Sequence, residues 1–160
     1  WEGSVRVTCG NGQALSGLSV AWLPGLGVTD TLVLPAVRGL EASGEAVVFP
    51  LVHRQAGEGR YSRVVVANTA AVSGTVSVAF YDGEGTQAGG DYQVAIAAQG
   101  SVRLDLEAGL ELPAAALSAL GSDFAGTMRL TPAEGTTIAA VCWERWTEGG
   151  RAAGYRGMEP

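Results

Sequence analysis

The stretch Thr75-Val76-Ser77-Val78-Ala79-Phe80-Tyr81 alternates apolar residues with small or polar ones along most of its length. A period of two is typical of a strand that buries one face, because successive side chains point to opposite sides of a sheet. We expect Val76, Val78 and Phe80 to point inward. The turn-forming residues Asp82-Gly83-Glu84-Gly85 follow directly. This stretch therefore predicts a strand that ends in a tight turn.

The same alternation recurs on both sides of this strand. The predicted inward sets are Val5 and Val7; Tyr92, Val94 and Ile96; Val102, Leu104 and Leu106; and Met128 and Leu130. We expect Arg103 and Asp105 to face water. The segment 137–146 is apolar on both faces up to Trp143, which favours a central strand or one covered by a neighbour. Turn signals recur about every 8 to 15 residues, as in sandwiches. The prediction is an all-β, antiparallel β-sandwich, either Ig-like or jelly-roll-like.

One segment breaks the alternation. Between Leu112 and Gly121, a proline stands at a plausible first helical position, good helix formers follow it, and glycine stands just past the end. This pattern predicts a short helix near residues 113–120. Its Leu117 and Leu120 are expected to cover an open end of the core.

The start of the chain resembles its end. Gly3-Ser-Val-Arg-Val-Thr8 returns 123 positions later as Gly126-Thr-Met-Arg-Leu-Thr131. The identical pairs are Gly3 and Gly126, Arg6 and Arg129, Thr8 and Thr131, and Gly12 and Gly135. Residues 3–22 thus repeat the two strands predicted over 126–145, and a chain that opens on such a motif is typical of a tandem array or an assembling subunit.

This repeat defines the predicted organisation. Residues 1–40 are assigned to N-terminal strands that form an exchanged or flanking hairpin, residues 41–147 to the sandwich module, and residues 148–160 to a C-terminal tail. The predicted assembly strands contain Val5, Val7, Leu15, Leu18 and Val20. They pack either within their own chain or beside a neighbouring unit, as strand addition does at open sheet edges.

A shorter repeat has an offset of 15 positions. Leu32–Arg38 matches Val47–His53, with proline in the same place. Proline cannot donate a ladder hydrogen bond, so these strands are expected at sheet edges, or they switch sheets at the proline. Residues 39–45 could turn the two into a hairpin. Alternatively, one of them is the edge strand of this module and the other serves the preceding copy.

Composition narrows the class of protein. The 160 residues are 47% hydrophobic, enough for one domain with its own core, and we predict neither metal nor cofactor. The formal charge of −6 argues against nucleic acid, whose binders present a basic surface. No apolar run reaches the ~18 residues of a membrane-spanning helix, so we expect none.

Candidate chemical groups are few. Cys9 and Cys142 are either buried thiols or a disulfide, within one chain or between neighbours. His53, the single histidine, is expected to be structural, since no Gly-x-Ser-x-Gly elbow accompanies it. Trp143 and Trp146 are either core and edge residues or a sugar-stacking platform. We therefore predict no catalytic residue and no enzyme.

Three consecutive segments carry a resemblance. Val47-Val-Phe-Pro-Leu-Val-His-Arg54, Tyr61-Ser-Arg-Val-Val-Val-Ala-Asn-Thr69 and Val76-Ser-Val-Ala-Phe-Tyr-Asp-Gly83 are similar to tandem β-sandwich modules of secreted bacterial surface proteins. The resemblance covers about residues 46 to 146. It implies an extracellular location and an adhesive, scaffolding or filament-forming role, and it implies no catalytic residue.

Together these features predict an extracellular structural subunit. We expect it to join a surface array or filament by strand addition, with other copies or neighbouring repeats as partners. The alternative is a carbohydrate-binding or adhesive module of a secreted protein, with a polysaccharide as partner.

Overall fold

The computed structural model describes residues 18–21, 32–35, 46–57, 59–109, 111–147 and 152–157. These residues form ten strands and one helix. In chain order the elements are β1 Leu18–Ala21, β2 Leu32–Pro35, β3 Val47–Ala56, β4 Arg60–Asn68, β5 Gly74–Tyr81, β6 Tyr92–Ile96, β7 Ser101–Asp105, α1 Ala114–Leu120, β8 Phe124–Pro132, β9 Ile138–Trp146 and β10 Ala152–Arg156.

Eight of the strands form one antiparallel sheet with two halves. One half has the order β10–β9–β4–β7, and the other has the order β3–β8–β5–β6. They join where the end of β3 meets the start of β4, with Arg54 opposite Tyr61 and Ala56 opposite Arg60. β1 and β2 pair separately, also antiparallel. The predicted all-β, antiparallel fold with one short helix is confirmed.

A hydrophobic core formed by described residues of both halves lies between them. The predicted inward residues Val76, Val78 and Phe80 are almost completely buried. The same core contains residues of the other predicted sets, namely Val94, Ile96, Leu104, Leu106, Met128 and Leu130. Tyr92 and Val102 are partly exposed and pack against its margin. Burial of apolar surface is the main favourable term in folding, so this core is what holds the halves together. Val5 and Val7 lie outside the described residues.

The helix forms where it was predicted. Pro113 is the N-cap, with an extended backbone, and Gly121 ends the helix at φ 66°, a conformation that glycine adopts without strain. The Gly121 N–H closes the helix against the carbonyls of Leu117 and Ser118. Leu120 is buried in the core and Leu117 packs partly exposed against it.

The two strands of the C-terminal repeat do not pair with each other. β8 lies between β3 and β5, whereas β9 lies between β4 and β10. The chain therefore crosses from one half to the other at the turn 133–137, where the Thr136 N–H donates to the Ala133 carbonyl at 3.0 Å. Although a short turn joins the two strands, they do not form a hairpin, because each strand finds its partners elsewhere in the chain.

The two proline-containing strands also have separate partners. β2 pairs with β1, and β3 pairs with β8 and β4, so the described strands do not form a β2–β3 hairpin, which was one of the two alternatives. Pro50 lies at a bulge, since three steps from Phe49 to Val52 oppose two on β8. A bulge tolerates the missing N–H. β10 lies within the segment predicted as a tail and extends the sheet past residue 147.

Candidate functional site

Strand β4 changes its partner at Ser62. On one edge, the residues before Ser62 pair with the end of β3, and those from Arg63 onward pair with β7. We call this change of neighbour at Ser62 the branch. Ser62 serves both neighbours, since its carbonyl accepts from the Leu106 N–H at 3.1 Å and its Oγ accepts from the His53 N–H at 2.8 Å. The Ser62 hydroxyl thus takes the place of the main-chain carbonyl that would accept this hydrogen bond in a regular β-ladder. Buried backbone donors require such a partner.

A buried contact between His53 and Glu144 lies beside this branch. His53 Nδ1 is 2.7 Å from Glu144 Oε1, and the two side chains are 5% and 9% exposed. Glu144 stands on β9 directly opposite Ser62 on β4. Polar groups in an interior are stabilised by such partners, which offset the loss of hydration. The histidine ring thus contacts Glu144 while Ser62 Oγ bonds the histidine backbone, so the three residues link β3, β4 and β9.

Asp105 is buried, contrary to the expectation that it faces water. Its Oδ2 accepts from Arg63, with both Nε and Nη2 at 2.7 Å. Its Oδ1 accepts from the backbone N–H groups of Glu107 at 2.9 Å and Ala108 at 3.0 Å. The strand alternation could not predict the partners that cover Asp105, because Arg63 lies on another strand.

The acidic turn after β5 is shaped by its own carboxylates. Asp82 Oδ1 accepts from the N–H groups of Glu84 at 2.9 Å and Thr86 at 2.8 Å. Asp91 Oδ1 accepts from Gln87 Nε2 at 2.7 Å. These contacts are typical of an Asx-type turn. Within the described ranges, no three His, Cys, Asp or Glu residues are placed to hold a metal ion.

The two candidate tryptophans are on one strand, three positions apart. Side chains on a strand alternate, so Trp143 and Trp146 lie on opposite faces of β9. The Arg60 guanidinium carbon stands 5.2 Å from the centroid of Trp146, a cation–π contact that covers one face of this ring. The sugar platform stays a prediction.

The remaining predicted site residues are the two cysteines and the residues of the predicted assembly strands. Cys142 is fully buried in the core, while Cys9 lies outside the described residues, so the disulfide stays a prediction. Val5, Val7 and Leu15 also lie outside them. Leu18 and Val20 belong to β1, where they stand opposite Pro35 and Val33 of β2.

The β1–β2 pair has nearly the same register as the β9–β10 pair. In the 123-residue repeat, Leu18 matches Val141. Leu18 pairs with Pro35, 17 positions on, and Val141 pairs with Arg156, 15 positions on. The repeat thus extends to a third strand, with a connection two residues longer in the N-terminal copy. The sequence comparison missed this extension because β2 and β10 share no recognisable residue pattern.

A depression on the outer face of β5 and β8 was also missed by the sequence interpretation. It has a volume of about 270 Å³ and is lined by Ser77, Ala79, Tyr81, Asp91, Arg129 and Thr131. A signal was present, since Arg129 and Thr131 are two of the four residues that the repeat keeps identical.

The comparisons with known proteins bear on the fold. No protein-family model matches the chain, and no curated protein matches it significantly. The crystal structure of Thermotoga maritima 1070 is similar over 74% of this chain and 96% of that chain, with a TM-score of 0.54 and 10% sequence identity. At this identity the likeness shows a shared fold alone. Among the described residues, no helix combines the length and apolar character needed to cross a bilayer.

Proposed function

We propose that this protein is a non-enzymatic structural module that assembles with neighbouring copies or repeats by strand addition at β1. The observation that carries the proposal is that β1–β2 and β9–β10 are antiparallel pairs at corresponding places of the repeat, with registers that differ by two residues. β9 has partners on both edges, β10 on one and β4 on the other. β1 corresponds to β9, and within the described part of the chain it pairs with β2 alone.

The edge of β1 that pairs with no described strand is the predicted contact. It corresponds to the edge through which β9 pairs with β4, over nine residues from Arg60 to Asn68. An edge strand presents unpaired N–H and C=O groups that can pair with a strand of another chain. The partner of β1 is therefore a strand equivalent to β4 in a neighbouring module, where the β1–β2 hairpin takes the place of β9–β10.

The extracellular location and the surface-array role rest on the resemblance of residues 46–146 to secreted tandem modules. The all-β fold is compatible with that class. The alternative, a carbohydrate-binding module built on Trp143 and Trp146, has less support because their side chains lie on opposite faces of β9.

The oligomeric state tests this proposal. The full chain is expected to form oligomers or filaments by size-exclusion chromatography with light scattering and by negative-stain imaging. A variant that begins at residue 46 retains β3 to β10, with their shared core, and is expected to be monomeric.

A second variant keeps the full chain. Successive N–H groups of a strand point to opposite edges, so Ser19→Pro and Val20→Pro together remove one donor from each edge of β1. We expect this double variant to reduce assembly, whereas Ser19→Ala leaves assembly unchanged. A monomeric full chain, or polymerisation of the truncated chain, would contradict strand addition at β1.

A further inference from the structure

We propose that the depression on the outer face of β5 and β8 binds a sugar acid, a uronate unit of a polysaccharide. Arg129 and Thr131 of β8 stand directly opposite Ala79 and Ser77 of β5. Its volume of about 270 Å³ lies just below the ~300–1,000 Å³ of pockets that hold drug-sized ligands. The site therefore suits one small ring of a chain that continues into solvent.

Arg129 indicates an anionic group on the ligand. Its side chain is exposed, and no other residue of the described segments forms an ion pair or hydrogen bond with it. Arg63 and Arg145, by contrast, pair with carboxylates of their own. A guanidinium presents a planar fork of donors that matches a carboxylate in two parallel hydrogen bonds. The small side chain of Ala79, opposite Arg129, leaves room for such a group.

Asp91 distinguishes between classes of anion. Its carboxylate lines the same depression, and only Oδ1 is engaged by Gln87. The negative charge of Asp91 disfavours a ligand with more than one negative charge, such as phosphate. The Asp91 carboxylate does, however, accept hydrogen bonds from hydroxyl groups of a ligand. Ser77, Thr131 and Tyr81 add three hydroxyls to the lining. A ligand with one carboxylate and several hydroxyls meets all of these groups, and a uronate has this composition.

The internal repeat is an independent observation for the same residues. In β8 the inward residues are Met128 and Leu130, and the N-terminal copy has Val5 and Val7 there. The outward pair Arg129 and Thr131 is instead identical, as Arg6 and Thr8. Packing of the core does not require these outward residues, so their identity favours a shared binding role.

Calorimetric titration of the full chain tests this site. The probes are a galacturonate trisaccharide, the neutral galactose trisaccharide and free glutamate. We expect the uronate to bind and the neutral sugar to bind much more weakly. Arg129→Gln is expected to weaken uronate binding about tenfold or more, since it removes a charge-assisted contact. Arg129→Lys keeps the charge without the fork and should lose affinity to an intermediate extent.

The matched control is Arg145→Gln, which removes the same charge from a position outside the depression. It should leave uronate affinity unchanged, and circular dichroism should show that each variant is folded. Failure of the uronate to bind at millimolar concentration, or equal binding by the Arg129→Gln variant, overturns the proposal. Tighter binding of glutamate than of the uronate assigns the site to another ligand class and overturns it as well. Oligomerisation does not enter this test, so the site stands or falls separately from strand addition.

Discussion

His53 and Glu144 are 91 positions apart in the chain, yet their side chains meet in the interior with Nδ1 and Oε1 at 2.7 Å. They meet beside Ser62, where β4 exchanges β3 for β7 as its neighbour. The contact joins β3, from one half of the sheet, to β9, from the other. It therefore ties the two halves together at the point where the backbone pairing between them ends.

Removal of the Glu144 carboxylate is expected to destabilise the protein. Glu144→Leu leaves His53 Nδ1 buried without its acceptor, which should lower the free energy of unfolding by about 2–4 kcal/mol. Urea denaturation monitored by tryptophan fluorescence measures this change. Glu107→Gln, at the more exposed pair with Arg145, is the control and should cost less than about 1 kcal/mol. Equal losses in the two variants would remove the special role of the buried pair.

The His53–Glu144 contact predicts whether β4 pairs with its own β9–β10 or with the β1–β2 hairpin of another copy. The residue that matches Glu144 in the N-terminal repeat is Ala21. A β1–β2 hairpin from another copy that replaced β9–β10 would leave His53 without its carboxylate. We expect the double variant Ala21→Glu with Glu144→Ala to raise the oligomer fraction measured by light scattering, relative to Glu144→Ala alone. If both variants give the same distribution, the pair does not select between hairpins.

Asp105 is expected to be as important for stability as a core residue. Asp105→Ala leaves the Arg63 guanidinium and two backbone N–H groups without their acceptor, so it should cost about 3 kcal/mol. Asp82→Ala also removes an acceptor of two backbone N–H groups, but in an exposed turn, and should cost about 1 kcal/mol. Thermal unfolding of the two variants measures the difference. A cost for Asp105→Ala no greater than that for Asp82→Ala would be inconsistent with its burial.

Gly126 is predicted to be intolerant of any side chain. A Cβ there would collide with the main-chain carbonyl oxygen of Tyr81 and lie 2.7 Å from Cζ of Phe124. We expect Gly126→Ala to lower the free energy of unfolding by about 2–3 kcal/mol, since neither the backbone nor the packed ring can move freely. Gly83→Ala, where the added carbon meets nothing within 4 Å, is the control. A wild-type midpoint for Gly126→Ala in a denaturation curve would refute this packing.

The pairing of its strands shows where the internal repeat lies in the fold. Gly126, Arg129 and Thr131 lie on β8, and the residues after the turn lie on β9, in different halves of the sheet. The sequence alone indicated two consecutive strands joined by a short turn. It could not indicate that each strand pairs elsewhere, since the choice of partner depends on segments far away in the chain.

What the sequence by itself determined is the local structure and the side of each strand that is buried. The alternation around Val78 and the proline and glycine that flank α1 depend on neighbouring residues alone, because backbone geometry and exposure repeat over short distances. Only the tertiary structure decided the junction at Ser62, the burial of Asp105 and the depression beside Arg129. Each of these requires strands distant in sequence to be brought side by side, and the alternation within one strand carries no information about which strand will be its neighbour.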